Sequence, residues 1–320
     1  MKANYFLFLL ILFPLTLLAQ KKEFEGILTY KVDVKSKKPE FSDKYWKNIL
    51  GAGDNVTVQV KQGNYLRQSG MVTEYHNPKQ EKVYMKFEGI DTLFYQDYSS
   101  DSSTLINISK SNETKKIAGY DCNAITIKTS SATRQYYYAP LLYSNPVYDK
   151  NNKISRFDIY ISETSSIYLS ESSEYESFTY SEFCTSVEQK SLNESAFKLP
   201  EFPIVKFNYE YLLKPPEFNR SGGWIKYLQA NLKKELGAKY VKIPKGQDEA
   251  MVTVIVQFIV SRTGEVKDVK AINKQEVHPR LAEEAIRVVS ESGRWKPATY
   301  LNEKIDQVMK QPITFAVSKG

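Results

Sequence analysis

Short runs of alternating apolar and polar residues dominate the amino-terminal part of the chain and most constrain its fold. Residues 28–34 and 56–60 alternate in this way, whereas residues 41–50 predict a helix. Further strand-like segments lie at 83–87, 93–95, 124–127, 134–138, 157–161 and 167–169. A period of two residues is typical of strands with one buried face. The pattern predicts one large, curled antiparallel sheet that is apolar on one face and polar on the other.

The chain from residue 215 onward changes to a mixture of helical and strand patterns. Residues 224–232 carry apolar side chains at helical spacing. Residues 252–260 alternate along a strand, and residues 266–272 return as a second strand after a short turn that ends at Gly264. A helix followed by a β-hairpin is therefore expected here.

A second helix and a last strand complete this region. Pro279 stands where a helix can begin without needing its missing N–H, and Glu283 and Arg287 are spaced to pair along the exposed face of that helix. Residues 313–317 alternate as a strand with Pro312 near its start. Because proline cannot donate to a strand ladder, we expect this strand at a sheet edge.

Four segments of this region occur in an informative order and spacing. They are PPEFNRSGGWIKYLQANLKKEL, VTVIVQFIVSRTGEVKDVKAI, HPRLAEEAIRVVSESGRWKPA and QVMKQPITFAV. Together they cover residues 215–317 and resemble the C-terminal domain of the periplasmic energy transducer TonB. The resemblance implies a small α-β-β-α-β domain after the β domain, so the whole chain is expected to be of the α+β class.

The resemblance also implies a function for the last strand. In proteins of this family the edge strand accepts the TonB box of an outer-membrane transporter as an added strand, held by backbone hydrogen bonds. The partner-binding residues implied here are Gln311, Ile313, Thr314, Phe315, Ala316 and Val317. The alternative is that the strand closes a small sheet and binds nothing.

The first residues have the features of a secretory signal peptide, with a positive start and a short apolar core. We expect cleavage after Ala19 and a periplasmic product, organised as a β domain over 20–205, a linker over 206–221 and a TonB-like domain over 222–320. The alternative is an uncleaved anchor in the inner membrane, which would make the chain an energy transducer.

A second resemblance concerns the β domain. The segments KKIAGYDCNAITIK and RQYYYAPLL resemble the GLPGLI type of exported bacterial protein, and LNESAFKLPEF is similar to lipoprotein-carrier-like half-barrels. The resemblance implies that the sheet shelters an acyl chain or another hydrophobic ligand. The alternative is that its apolar face is ordinary core.

Cys122 and Cys184 are the two cysteines of the chain. In an exported protein two cysteines usually pair, so a structural disulfide between them is predicted. The alternative is two buried thiols.

No motif in the sequence predicts catalysis, a metal site or a cofactor. The two histidines, His76 and His278, fall in different predicted domains, and neither has a partner at metal-ligand spacing. The net charge of +7 comes from scattered lysines, which argues against a nucleic-acid partner. We expect a non-enzymatic envelope protein that docks a partner, with a carrier of a hydrophobic ligand as the alternative.

Overall fold

A twelve-stranded sheet forms the larger part of the molecule. The structure is a computed structural model and describes residues 21–39 and 41–319. The strands of the sheet are β1 (Gly26–Ser36), β2 (Asn55–Lys61), β3 (Asn64–Ser69), β4 (Val72–Asn77), β5 (Lys82–Phe87), β6 (Leu93–Asp97), β7 (Leu105–Ile117), β8 (Tyr120–Thr129), β9 (Thr133–Tyr143), β10 (Ser166–Glu174), β11 (Phe178–Gln189) and β12 (Ile204–Lys206). They lie in the order β12-β6-β5-β4-β3-β2-β1-β11-β10-β9-β8-β7. Only β12 is paired in parallel, so the predicted antiparallel sheet is confirmed.

The sheet curls so that its two halves meet across one face. Tyr65 in β3 places its hydroxyl 3.2 Å from that of Ser144, just beyond the end of β9. The strand order puts four strands between β3 and β9. Every second side chain of β1, from Leu28 to Val34, is buried on this inner face. The alternation of the sequence thus becomes the concave wall of a half-barrel.

Two short helices lie against the sheet. The first, α1 (Asp43–Leu50), falls where a helix was predicted, and the Ser42 side chain caps it by accepting from the Tyr45 amide at 3.1 Å. The second, α2 (Phe157–Thr164), replaces the strand predicted at 157–161, so that prediction was wrong. Tyr160 and Ile161 are buried. The prediction failed because a short apolar run fits a helix as well as a strand.

The carboxy-terminal region adds three helices and two small sheets. Its elements are β13 (Leu213–Lys214), α3 (Gly223–Asn231), α4 (Lys234–Tyr240), β14 (Glu249–Val260), β15 (Val266–Ala271), α5 (Pro279–Ser290), β16 (Ala298–Tyr300), β17 (Glu303–Ile305) and β18 (Gln307–Ser318). One sheet has the order β15-β14-β18 and the other β13-β16-β17. The predicted hairpin of β14 and β15 is present, with Gly264 at φ 84° in its turn.

The long amphipathic helix α5 begins and packs as its sequence predicts. His278 accepts the Arg280 amide at Nδ1, 3.2 Å away, and so caps the helix. The predicted pair of Glu283 with Arg287 is wrong. Arg287 instead bonds Glu284, which is buried and also accepts the Lys233 amide at 2.9 Å. Its bond to the Lys233 amide holds the Glu284 carboxylate in position for Arg287, whereas Glu283 pairs with Arg280.

The segment predicted as a linker, 206–221, is part of the packed structure. Leu212 is buried and β13 pairs with β16. Leu212 shares a hydrophobic cluster with Ile305 of β17 and with Val83 and Met85 of β5. The small sheet of β13, β16 and β17 therefore packs directly on the large sheet.

No helix among the described residues is long and apolar enough to cross a membrane. The predicted signal peptide, residues 1–19, lies outside the described residues.

Candidate functional site

The last strand, β18, lies at an edge of its sheet, as its proline predicts. Over its whole length it pairs on one side with β14, from Glu249 opposite Ser318 to Val260 opposite Gln307. No other strand of the described residues pairs with its outer side. The side chains of Ile313 and Phe315 are buried in the core beneath, so they hold the strand in place.

The pairing of β14 shows which backbone groups of β18 face outward. The Ile255 amide donates to Asn273 Oδ1 at 2.9 Å, and its carbonyl accepts the Ile272 amide at 2.9 Å, so Ile255 faces β15. Pro312 is opposite Ile255 and therefore points away from β14. The same alternation turns Thr314 outward. Pro312 consequently costs no ladder bond, and the outer edge keeps free groups on both sides of it.

Helix α4 covers one end of this edge. At Gly237 a Cβ atom would lie 3.6 Å from both Phe315 Cβ and Val317 Cγ1, and 3.9 Å from the Ala316 carbonyl oxygen. Of the predicted partner-binding residues, Gln311, Ile313 and Thr314 therefore lie on the open part of the strand. Phe315, Ala316 and Val317 lie beside α4. The uncovered edge runs over residues 308–314.

The concave face of the large sheet lines a partly open cavity of about 360 Å³. Its walls combine apolar and aromatic side chains with five ionisable ones, Arg67, Glu74, His76, Glu171 and Glu182. Buried charges are rare unless they are paired, so their presence here distinguishes the cavity from ordinary core. The predicted apolar face is thus interrupted by charge.

Arg67 is the centre of these charges. Its guanidinium donates to both carboxylate oxygens of Glu182, which is 1% exposed, and to the Tyr180 hydroxyl at 2.9 Å. Its Nε lies 3.5 Å from Glu74. Burial alone would lower the pKa of Arg67, but the charge of Glu182 raises it well above its ordinary value. Arg67 is therefore charged and fully paired.

Glu171 differs because it has no cationic partner within ion-pair distance among the described residues. It lies between Tyr136 of β9 and Glu182 of β11 in the strand register. The Ser173 hydroxyl donates to its Oε1 at 2.6 Å. Burial, and then the charge of Glu182, raise the pKa of Glu171 above its ordinary value. The cavity thus holds one carboxylate that lacks a counter-charge.

These cavity residues were missed in the sequence. The signal that could have found them is the alternation of inward and outward side chains along each strand. Arg67 and Glu182 occupy positions where this alternation requires an inward side chain. The alternation identifies these residues only when the register of each strand is known.

The predicted disulfide is absent from the structure. Cys122 and Cys184 are free, buried thiols on β8 and β11, which are separated by two strands. Each donates to a nearby carbonyl, Cys122 to Tyr120 at 3.5 Å and Cys184 to Ser186 at 3.2 Å. Burial raises the pKa of both thiols to about 11.

No group of three or more metal-ligating side chains is found among residues 21–39 and 41–319. His76 lies in the cavity wall with its Nε2 3.7 Å from Glu74, and His278 caps α5. The structure therefore places the two histidines apart, in separate roles.

The carboxy-terminal region matches a known family. Residues 250–317 match the family model described as the Gram-negative bacterial TonB protein C-terminal. This range runs from the beginning of β14 to near the end of β18, so it contains the open edge. The TonB-like identity predicted for this region is confirmed.

Solved structures superpose weakly on parts of the chain. Two structures of PNGF-II, in space groups P21 and C2, give TM-scores of 0.36 and 0.33 at 12% and 14% identity, covering 74% of this chain and 43% and 44% of theirs. The Mycobacterium tuberculosis lipoprotein LppX gives 0.26 at 11% identity, over 53% of this chain and 89% of its own. This chain spans less than half the length of PNGF-II. These TM-scores are too low to transfer a function from either protein to this chain. No curated protein shows significant similarity to the chain.

Proposed function

We propose that this is a non-enzymatic envelope protein that binds an extended segment of a partner as an added strand along β18. The observation that carries the proposal is the outer edge over residues 308–314, which no strand of the described residues occupies. The match of this region to the TonB C-terminal family supports the same reading.

The edge offers the chemistry that strand addition needs. Outward-facing residues such as Thr314 supply both an N–H donor and a C=O acceptor, whereas Pro312 supplies only the acceptor. An incoming strand would therefore bond on either side of Pro312. Backbone bonds give affinity with little demand on partner sequence, and the exposed side chains of Lys310 and Thr314 would set preference.

The family match favours an envelope partner, in particular a TonB-dependent outer-membrane transporter. This partner class requires that the chain be exported to the periplasm, as its amino-terminal sequence predicts. The fold contributes a rigid edge, since Ile313 and Phe315 anchor β18 from below.

Photocrosslinking in the native envelope tests the proposal. A photoreactive residue at Lys310, on the open edge, should capture a partner, and one at Lys270, on the opposite edge strand β15, should not. Thr314→Pro removes an outward N–H without breaking the β14 ladder, so it should abolish capture.

Thr314→Val is the matched control. Both substitutions remove the bond between the hydroxyls of Thr314 and Thr253, which are 2.9 Å apart, but only proline removes the N–H. Capture that survives Thr314→Pro would show that the partner does not add a strand here.

A second function is favoured by the cavity. The partly open cavity of about 360 Å³ in the half-barrel lies in the size range of small-molecule sites, roughly 300–1,000 Å³. We therefore propose that the β domain also carries a small ligand. Native mass spectrometry of the gently purified full chain should detect it as a mass excess, which denaturation releases.

A further inference from the structure

We propose that the cavity of the β domain binds a small molecule with a cationic ammonium or guanidinium group on an apolar body, and that Glu171 is its counter-ion. This inference rests on the carrier function proposed above and names the chemistry of the ligand.

The charges that line the cavity leave one negative group unmatched. Both terminal nitrogens of Arg67 donate to Glu182, and Glu74 lies 3.5 Å from Arg67 and 3.7 Å from His76. Glu171 has only the Ser173 hydroxyl, which bonds one of its two oxygens. A cation placed at the other oxygen would complete the set of charge-assisted bonds.

The arginine closest in the strand order does not fill this role. Arg134 lies opposite Ser173 in the register and donates to the Tyr175 hydroxyl at 3.3 Å, with its guanidinium over the Tyr175 ring at 5.5 Å. It is buried and not within ion-pair distance of any described carboxylate. Arg134 therefore weakens the local negative potential without neutralising Glu171.

Aromatic rings surround the same end of the cavity. Tyr136 and Tyr168 line it with their ring centroids 5.5 Å apart. Tyr175 also lines the cavity and stacks on Phe178 at 4.6 Å. Faces of such rings attract cations, and they do so most strongly where water is excluded.

Apolar side chains of β2, β4 and β5 lie between the paired charges of Arg67, Glu74 and His76 and suit the body of the ligand. They are Val58, Val72, Val83 and Met85, which line the cavity. An anion would meet the Glu74, Glu171 and Glu182 carboxylates, against a single lining guanidinium that is already paired. A purely apolar ligand would leave Glu171 desolvated and unpaired. The walls consequently select for a positive charge.

Three probes with the same apolar body and different head groups test the inference on the full chain. Isothermal titration with n-octylammonium, octan-1-ol and octanoate should give the tightest binding for octylammonium, by about tenfold or more over octanol, and the weakest for octanoate. The affinity for octylammonium should also rise with pH as Glu171 ionises, while that for octanol should not.

Glu171→Gln should weaken octylammonium binding about tenfold and leave octanol binding unchanged. Glu174→Gln is the matched control, because Glu174 lies on the same strand with its side chain 64% exposed. It should change neither affinity. The pH dependence of the unaltered chain provides an independent readout if Glu171→Gln does not fold.

The remaining outcomes separate the two proposals. Octanol binding as tightly as octylammonium, with no effect of Glu171→Gln, would overturn the cationic ligand while leaving a carrier of neutral ligands. Failure of all three probes to bind would overturn the carrier function, and this inference with it.

Discussion

Single residues inside the half-barrel determine how the protein responds to pH. The pKa of Glu171 is raised by burial and by Glu182, so the folded state holds a proton that the unfolded chain releases near the ordinary value of 4.5. A carboxyl group whose pKa is raised by folding contributes its full stabilisation at pH values below the unfolded-state pKa. Its contribution is lost as the pH rises through the raised pKa of the folded state. Glu171 is therefore a source of instability at neutral pH in the empty protein.

Replacing Glu171 with Gln should remove this loss. We expect Glu171→Gln to be more stable than the unaltered chain at neutral pH, with the difference shrinking as the pH falls through the raised pKa of Glu171 toward 4.5. Urea unfolding at acidic and neutral pH measures the difference, with Glu174→Gln as the exposed control. Equal pH profiles for Glu171→Gln and the unaltered chain would show that Glu171 titrates normally.

The two cysteines give a second prediction at this scale. Because burial raises the pKa of Cys122 and Cys184 to about 11 and shields both, neither thiol should react with a disulfide reagent in the folded protein. The unfolded, unreduced chain should release two reactive thiols. Release of none would mean that the purified protein contains the disulfide predicted from the sequence.

At the scale of elements, the sheet is curved by contacts between strands that are not neighbours. Arg67 on β3 reaches Glu182 on β11 across β2 and β1. Removing Arg67 leaves the Glu182 carboxylate buried without a cation, and removing Glu182 leaves Arg67 only the more distant Glu74 carboxylate. Breaking a buried ion pair in this way costs about 3–5 kcal/mol. We expect Arg67→Met and Glu182→Leu each to destabilise the fold by this amount.

The double variant Arg67→Met/Glu182→Leu should recover part of that loss, because it removes both members of the buried ion pair and leaves only Glu74 without its arginine contact. A double-mutant cycle by urea unfolding gives the coupling. The exposed pair of Lys35 and Asp43 serves as control and should show little coupling. Additive effects of Arg67→Met and Glu182→Leu would indicate that the pair does not hold the curvature.

Elements with strong periodicity were predictable, and those shaped by distant contacts were not. The buried strand β14 and the helix α5 have a continuous apolar face, so the sequence identifies them and their order. The edge strand β7 is exposed along nearly all its length and shows no alternation. Helix α2 was predicted as a strand because its burial depends on β8 and β9. The position of Gln311–Thr314 on an open edge followed from Pro312, whereas the cavity charges required the register.

One hydrophobic cluster joins the large sheet to the carboxy-terminal region, although the residues of the cluster are far apart in the sequence. Val83, Met85 and Phe94 of the large sheet lie in one cluster with Tyr300 and Ile305 of the carboxy-terminal region. Residues 298–305 carry no long periodic pattern, so their two short strands and their partner surface could not be predicted. Val83 and Met85 also line the cavity. Ile305 is separated from β18 only by Asp306, so packing connects the open edge of β18 to the cavity wall.

Two isoleucine truncations distinguish this shared core from independent domains. Ile305→Ala should cost about 2–5 kcal/mol and increase amide exchange in β4, β5 and β6 of the large sheet, since Ile305 packs against those strands. Ile313→Ala removes the same atoms from the core beneath β18, so its local effect should be confined to α5, β14, β15 and β18. Hydrogen exchange with mass spectrometry resolves the two patterns. If Ile305→Ala leaves exchange in β4–β6 unchanged, the two regions are energetically separate, and strand addition at β18 has no packed route to the cavity.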